Sequence, residues 1–285
     1  MEWQFCNPGK VDSRPMSVSR SCRRVSQLAL VWLLISPASA GNSPLIAIIL
    51  DDLGNNLAAG RGALNLPGQV TYSFLPRTPH ASFLASQAVA KGRETMLHLP
   101  MQSVAREQLG PGGLTQDMPS GQLQRTILED IRSIPSAAGV NNHMGSLLTR
   151  DAVVMGQLMA ILKDHPGMYF LDSRTDRQTV AEQVAREMGV PTGRRNVFLD
   201  NERNEDYILR QFNALLGMAR KSGAAVGIGH PYPETLRVLE KKLAELESCD
   251  VVLVPVSELI EHQRRNQPWP VSSSPLHTAA RSLKP

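Results

Sequence analysis

Disulfides cannot hold this chain together. Its 285 residues include three cysteines, and two of them, Cys6 and Cys22, fall in the first 40 positions. Only Cys249 lies beyond, so the body of the chain must be stabilised by a packed core. Long apolar runs are scarce as well. The run near the N-terminus, Leu28 to Ile35, has eight residues, against about 20 needed to cross a bilayer. A surplus of one charge is also missing. The formal net charge is +4, but residues 1–40 carry five of the 30 basic and two of the 26 acidic side chains. The remainder holds 25 against 24, and a near-neutral body does not ask for nucleic acid. There is no internal repeat and no linker, which argues for one domain.

The N-terminal segment reads as a leader. Arg20, Arg23 and Arg24 precede the short apolar run, and Pro37 and Ala38-Ser39-Ala40 follow it. A basic region, a short apolar region and a small-residue end make a secretory signal peptide, residues 1–40, with cleavage after Ala40. Met16 is an alternative start to Met1. The expected product is an exported protein, periplasmic or secreted, with no stable membrane insertion. Its globular domain spans residues 41–265, and a Pro- and Ser-rich tail, 266–285, is expected to be disordered.

What is present is organised around Leu45 to Asn56. Six apolar residues run into Asp51-Asp52, and Gly54 follows. A short isoleucine-rich run is a strand buried on both faces, at home in a parallel sheet. The C-terminal ends of such strands are where α/β folds place their chemistry. Further strands are expected at 70–74, 95–99, 138–142, 168–171, 196–199, 224–229 and 251–254. Helical patterns alternate with them at about 55–65, 79–91, 120–134, 151–162, 179–188, 208–219 and 236–246. Ser120 and Asp151 are expected to cap two of these helices. A long loop, 100–119, is expected to line a binding site. Eight β/α alternations argue for a (β/α) barrel of seven or eight parallel strands, with a doubly wound sheet as the alternative.

Polar residues collect at the strand ends. Asp51 and Asp52 end the first strand, and His98 the third. Asn141, Asn142 and His143 end the fourth, Asp172 the fifth, Asp200 the sixth and His230 the seventh. In a parallel barrel these ends share one face. One carboxylate and two histidines are a catalytic zinc's ligand set, and a further carboxylate and imidazole supply a base and an acid. Asp52, His98 and His143 are the candidate ligands of a divalent metal, Zn²⁺ first. Because a strand alternates its side chains, Asp51 and Asp52 are expected on opposite faces.

These residues resemble the divergent polysaccharide deacetylases. The resemblance rests on Asp51-Asp52-x-Gly54, His98-x-Pro100-Met101, Asn141-Asn142-His143-Met144-Gly145-Ser146, Asp172-Ser173-Arg174-Thr175 and Gly229-His230-Pro231, and covers about residues 44–262. It implies a distorted (β/α) barrel and removal of acetyl groups from a polysaccharide or cell-wall glycan. It makes Asp51 the base, Asp52 a metal ligand, His230 the general acid and Asp172 the acid that orients His230. Asn141, Asn142 and Arg174 become candidate substrate-binding residues. The chain departs from the common deacetylases in one respect: it has no His-x-x-x-His pair, so His98 and His143 must come from separate strands. A non-catalytic glycan-binding protein on the same barrel is the alternative. A glycoside hydrolase with paired carboxylates is a third reading, for which Asp51 and Asp52 make a poor pair. Arg194-Arg195 reads either as a solvated pair or as a holder for an acidic sugar.

Overall fold

The computed structural model describes residues 43–266. The expected leader, 1–40, and residues 267–285 of the expected tail lie outside the described residues. Nine strands are described: β1 (Leu45–Leu53), β2 (Thr71–Phe74), β3 (Thr95–Met101), β4 (Ala137–Met144), β5 (Tyr169–Asp172), β6 (Thr192–Arg194), β7 (Val197–Phe198), β8 (Ala224–Gly229) and β9 (Val252–Leu253). Between and after them run α1 (Leu57–Ala63), α2 (Ala81–Ala90), α3 (Ser120–Ser133), α4 (Ala152–Lys163), α5 (Ala181–Met188), α6 (Glu205–Ser222), α7 (Pro233–Glu245) and α8 (Val256–Asn266). Among the described residues no helix is long and apolar enough to cross a membrane.

Local sequence accounts for most boundaries. Asn56, Asp151 and Asn204 each cap a helix by accepting a backbone N–H within the first turn. Gly189 and Gly223 close α5 and α6 in the left-handed conformation that suits glycine. Ser120 does not cap: it is the first helical residue of α3, and Pro119 before it makes no side-chain cap bond. Two elements were not anticipated. β6 is three residues of Thr-Gly-Arg with no apolar pattern, and α8 follows β9 after only two residues.

Every strand pairing is parallel, in the order β6-β5-β4-β3-β2-β1-β8-β7, with β9 beside the first two residues of β1. β6 and β7 occupy the two ends of this order, yet only Arg195 and Asn196 separate them in the chain. Three residues of extended chain span at most about 11 Å. The two free edges are therefore drawn together, and the sheet curls into a barrel that no hydrogen-bond ladder closes.

Side-chain alternation divides the apolar residues into two cores. Ile46, Ile48 and Leu50 of β1 face outward and pack with α1 to α7. Ala47 and Ile49 face inward with Met96, Tyr169, Leu171, Val226 and Ile228. The helix that joins the inner set is α8, through Val256, Leu259 and Ile260. It plugs the barrel from below, where the strands begin. The strand ends are left for polar groups.

Candidate active site

Alternation decides which side chains reach the upper end of the barrel. Two residues beyond Ile49, Met96 and Ile228 lie Asp51, His98 and His230, which therefore point inward. On β4, Asn141 lies in register with His98, and His143 with Pro100. Val140 belongs to the outer core, so Asn141 and His143 share the inner side.

Asp52 breaks the rule. Alternation would send it outward, but its φ is 60°, and the β1–β2 register is interrupted between Leu50 and Leu53. A left-handed residue with a side chain costs roughly 1–2 kcal/mol. The turn aims two adjacent carboxylates at one site, which corrects the expectation that Asp51 and Asp52 face apart.

The three expected ligands meet. Asp52 Oδ1 lies 3.1 Å from His98 Nε2 and 2.9 Å from His143 Nδ1. The two imidazole nitrogens are 3.2 Å apart. The two contacts of Asp52 Oδ1 are not well-directed hydrogen bonds, since that oxygen is buried and has none of good geometry. Donors arranged tetrahedrally about a zinc at about 2.0–2.2 Å are separated by roughly 3.3 Å. The trio thus fits one divalent ion with a position to spare, and it is the one such group among the described residues. A cavity of about 370 Å³ opens beside it, lined by Asp52, His143, Asn55 and Gln108 to Gly110. The long loop therefore lines the site, as its length implied.

Asn141 ties the ligand set to the expected base. Its Nδ2 donates to both oxygens of Asp51, at 2.9 and 3.1 Å. A carboxylate can only accept, so the amide is oriented and its Oδ1 faces Ser73 Oγ at 2.6 Å and His98 Nδ1 at 2.9 Å. His98 Nδ1 must then donate, and the Nε2 lone pair is left facing Asp52 and His143. Sequence reasoning made Asn141 a substrate contact. It is fully buried and all its polar atoms are engaged within the protein. Asn142 is likewise buried: its Nδ2 donates to Met144 O, and its Oδ1 accepts from Ser173 N. Both amides are spent on bonds within the protein.

Charge follows this geometry. Burial raises the Asp51 carboxyl, against the lowering pull of His98 and His230. Burial would raise Asp52 too, but His143 and His98 beside it hold its carboxyl well below the usual range. His98 is pushed down by burial and carried up by Asp51 and Asp52, ending at about 9. His230 is also raised. Burial opposes this, but the bond to Asp200 and the charge of Asp52 outweigh it.

The acid that orients His230 is Asp200, not Asp172. Asp200 Oδ1 lies 3.0 Å from His230 Nδ1, and its Oδ2 accepts from the His230 backbone N–H and from Thr235 Oγ1. His230 Nε2 is left 3.6 Å from Asp52 Oδ2, turned toward the ligand trio. β7 pairs with β8, Phe198 opposite Ile228, so Asp200 continues on the same side as His230. Asp172 follows the inward Leu171 and points out, where Thr179 Oγ1 and the Arg174 N–H engage it. Arg174, a candidate substrate contact, sits at the rim with φ 47°.

The family described as divergent polysaccharide deacetylase matches residues 48–260. The protein named "Uncharacterized protein YibQ" of Escherichia coli (strain K12) is 36% identical over 253 residues, covering 89% of this chain and 76% of the relative. A Haemophilus influenzae protein is 35% identical over 225 residues, covering 79% and 80%. The crystal structure of ATU2773 from Agrobacterium tumefaciens C58 superposes with a TM-score of 0.74 at 25% identity, covering 78% of this chain and 92% of that one. With the matched span running from the middle of β1 into α8, and the site's residues inside it, the chain belongs to the divergent polysaccharide deacetylase family.

Proposed function

We propose that this protein is an exported, metal-dependent hydrolase that removes acetyl groups from a glycan. One observation carries the reading: Asp52, His98 and His143 bring three donor atoms within 3.2 Å of one another, between a buried carboxylate and a carboxylate-oriented imidazole. A divalent ion held by the trio would polarise the acetyl carbonyl and ease ionisation of a water molecule. Asp51, raised by burial, takes a proton from that water as its oxygen forms the new C–O bond. His230 donates a proton to the leaving sugar nitrogen as the C–N bond breaks. Acetate and a free amino sugar result; with an ester, the leaving atom is oxygen. The basic, apolar and small-residue order of residues 1–40 supports export.

The test joins metal and acetate. Zinc-loaded protein should release acetate from N-acetylglucosamine oligomers. Asp52→Ala and His143→Ala should lose the metal, while Asp51→Asn should keep it and lose activity. Stoichiometric zinc in both ligand variants would overturn the ligand assignment. Wild-type protein that binds no divalent ion would leave glycan binding without catalysis.

A further inference from the structure

The cations beside His230 have no acidic partner. Arg195 is half-buried, and its Nε and Nη2 donate to two neutral carbonyls, Ser173 O at 2.6 Å and Arg174 O at 2.7 Å. Its neighbour Arg194, by contrast, pairs with Glu182 at 3.4 Å. The Arg195 guanidinium lies 5.0 Å over the Phe198 ring, and Phe198 meets the His230 imidazole edge-on at 5.4 Å. On the other side Tyr232 stacks on His230 at 5.3 Å, with the Arg203 guanidinium 3.7 Å above the Tyr232 ring. Arg195, Phe198, His230, Tyr232 and Arg203 thus form one continuous ladder, with a cation at each end. Arg174 adds a third charge. Burial and the nearby Arg174 guanidinium push the Arg195 pKa down, outweighing the opposite pull of the nearby Asp172 and Asp51 carboxylates. Arg174, Arg195 and Arg203 have no ion pair with a carboxylate among the described residues.

A half-buried guanidinium without a counter-ion gives up hydration for little return. Arg195 and Arg174 are half-buried and Arg203 is exposed; cations on both sides of one imidazole attract anions, and a guanidinium matches a carboxylate. We propose that the glycan is acidic: its carboxylates are held at the two ends of the ladder, by Arg195 and Arg174 on one side of His230 and by Arg203 on the other, flanking the acetyl group whose leaving atom faces His230. This rests on the deacetylase reading for the role of His230, but the anion site can be tested without turnover.

Matched probes decide it. Zinc-loaded wild-type protein is titrated calorimetrically with a galacturonic acid tetramer and a galactose tetramer, which differ in the carboxylate and carry no acetyl group. The acidic tetramer should bind at least about tenfold more tightly at low salt, and the preference should shrink as salt is added. Arg203→Ala and Arg174→Ala should each reduce the acidic-to-neutral ratio. Among the described residues neither side chain holds a hydrogen bond or ion pair, Arg203 resting only on the Tyr232 ring, and thermal melts check that both variants fold. Equal binding of the two tetramers by wild type, or an undiminished ratio in both variants, overturns the proposal. Acetate release from an N-acetylglucosamine tetramer is measured separately. Release without an acidic preference removes the anion site and keeps the deacetylase. A preference without release from any acetylated probe keeps the anion site and removes the deacetylase.

Discussion

Asn141 has two masters, the base and a metal ligand, and this sets what its removal should do. Asn141→Leu would free His98 Nδ1 from its acceptor and leave Asp51 without its donor. Metal affinity should fall about 10- to 100-fold, the usual effect of losing a partner behind a ligand. Ser73→Ala, which removes only the outer bond to Asn141 Oδ1, should cost less. Zinc affinity unchanged in Asn141→Leu would sink the coupling. Asp200 and Asp172 make a sharper pair. Asp200→Asn weakens the bond and removes one of the charges that raise His230, so the alkaline limb of the activity profile should move to lower pH and kcat should fall about 10²- to 10⁴-fold. Asp172→Asn, facing the helices, should change stability and leave that limb in place. The opposite pattern would restore Asp172 as the orienting acid. Alternation counted along each strand separates the two acids, because Leu171 and Phe198 are the inward residues. Strand type and strand ends were legible; the face each end presents required knowing which apolar neighbours point inward. Nothing in the residues around Asp52 announces its left-handed turn, since glycine occupies position 54 rather than 52.

At the scale of the element, α8 does work that its sequence conceals. Its residues read Val-Ser-Glu-Leu-Ile-Glu-His-Gln-Arg-Arg-Asn, a stretch in which polar and charged side chains outnumber the apolar ones. Yet Val256, Leu259 and Ile260 close the inner core beneath the site. Its N-terminus is fastened by Glu94, whose carboxylate accepts from the Ser257 N–H and from Tyr169 Oη. Three apolar residues on one face suffice because the inner core is small. Leu259 is fully buried, so Leu259→Ala should destabilise by about 2–5 kcal/mol in denaturant unfolding. Val153 of α4 is 70% exposed, and Val153→Ala should stay within about 0.5 kcal/mol of wild type. Equal effects would mean that α8 does not plug the barrel. The same economy explains why β6 was missed. Thr192, Gly193 and Arg194 owe their strand to the β5 edge beside them, a tertiary cause that leaves no periodicity behind.

For the whole molecule, metal and proton compete for one imidazole, and the competition should be visible in stability. In metal-stripped protein His98 is carried up to about 9, above the unfolded value near 6.5. Between those values the folded state holds a proton that the unfolded state has lost, so stability falls as pH rises. This contribution is complete below about 6.5 and gone above about 9. His230, raised as well, acts in the same direction. Asp52, held low, contributes above about 3.8 and loses that contribution only on acidification below this window. An ion on His98 Nε2 requires the lone pair that the proton occupies, so its binding strengthens as pH rises. Zinc at 100 times its Kd adds about 2.7 kcal/mol, and the increment should widen from about pH 6.5 to about pH 9 while the metal-stripped protein weakens. Melting curves with and without zinc across that range should therefore diverge with pH. A zinc increment that stays constant or shrinks would show that the ion displaces no proton from His98, and His98 would cease to be a ligand.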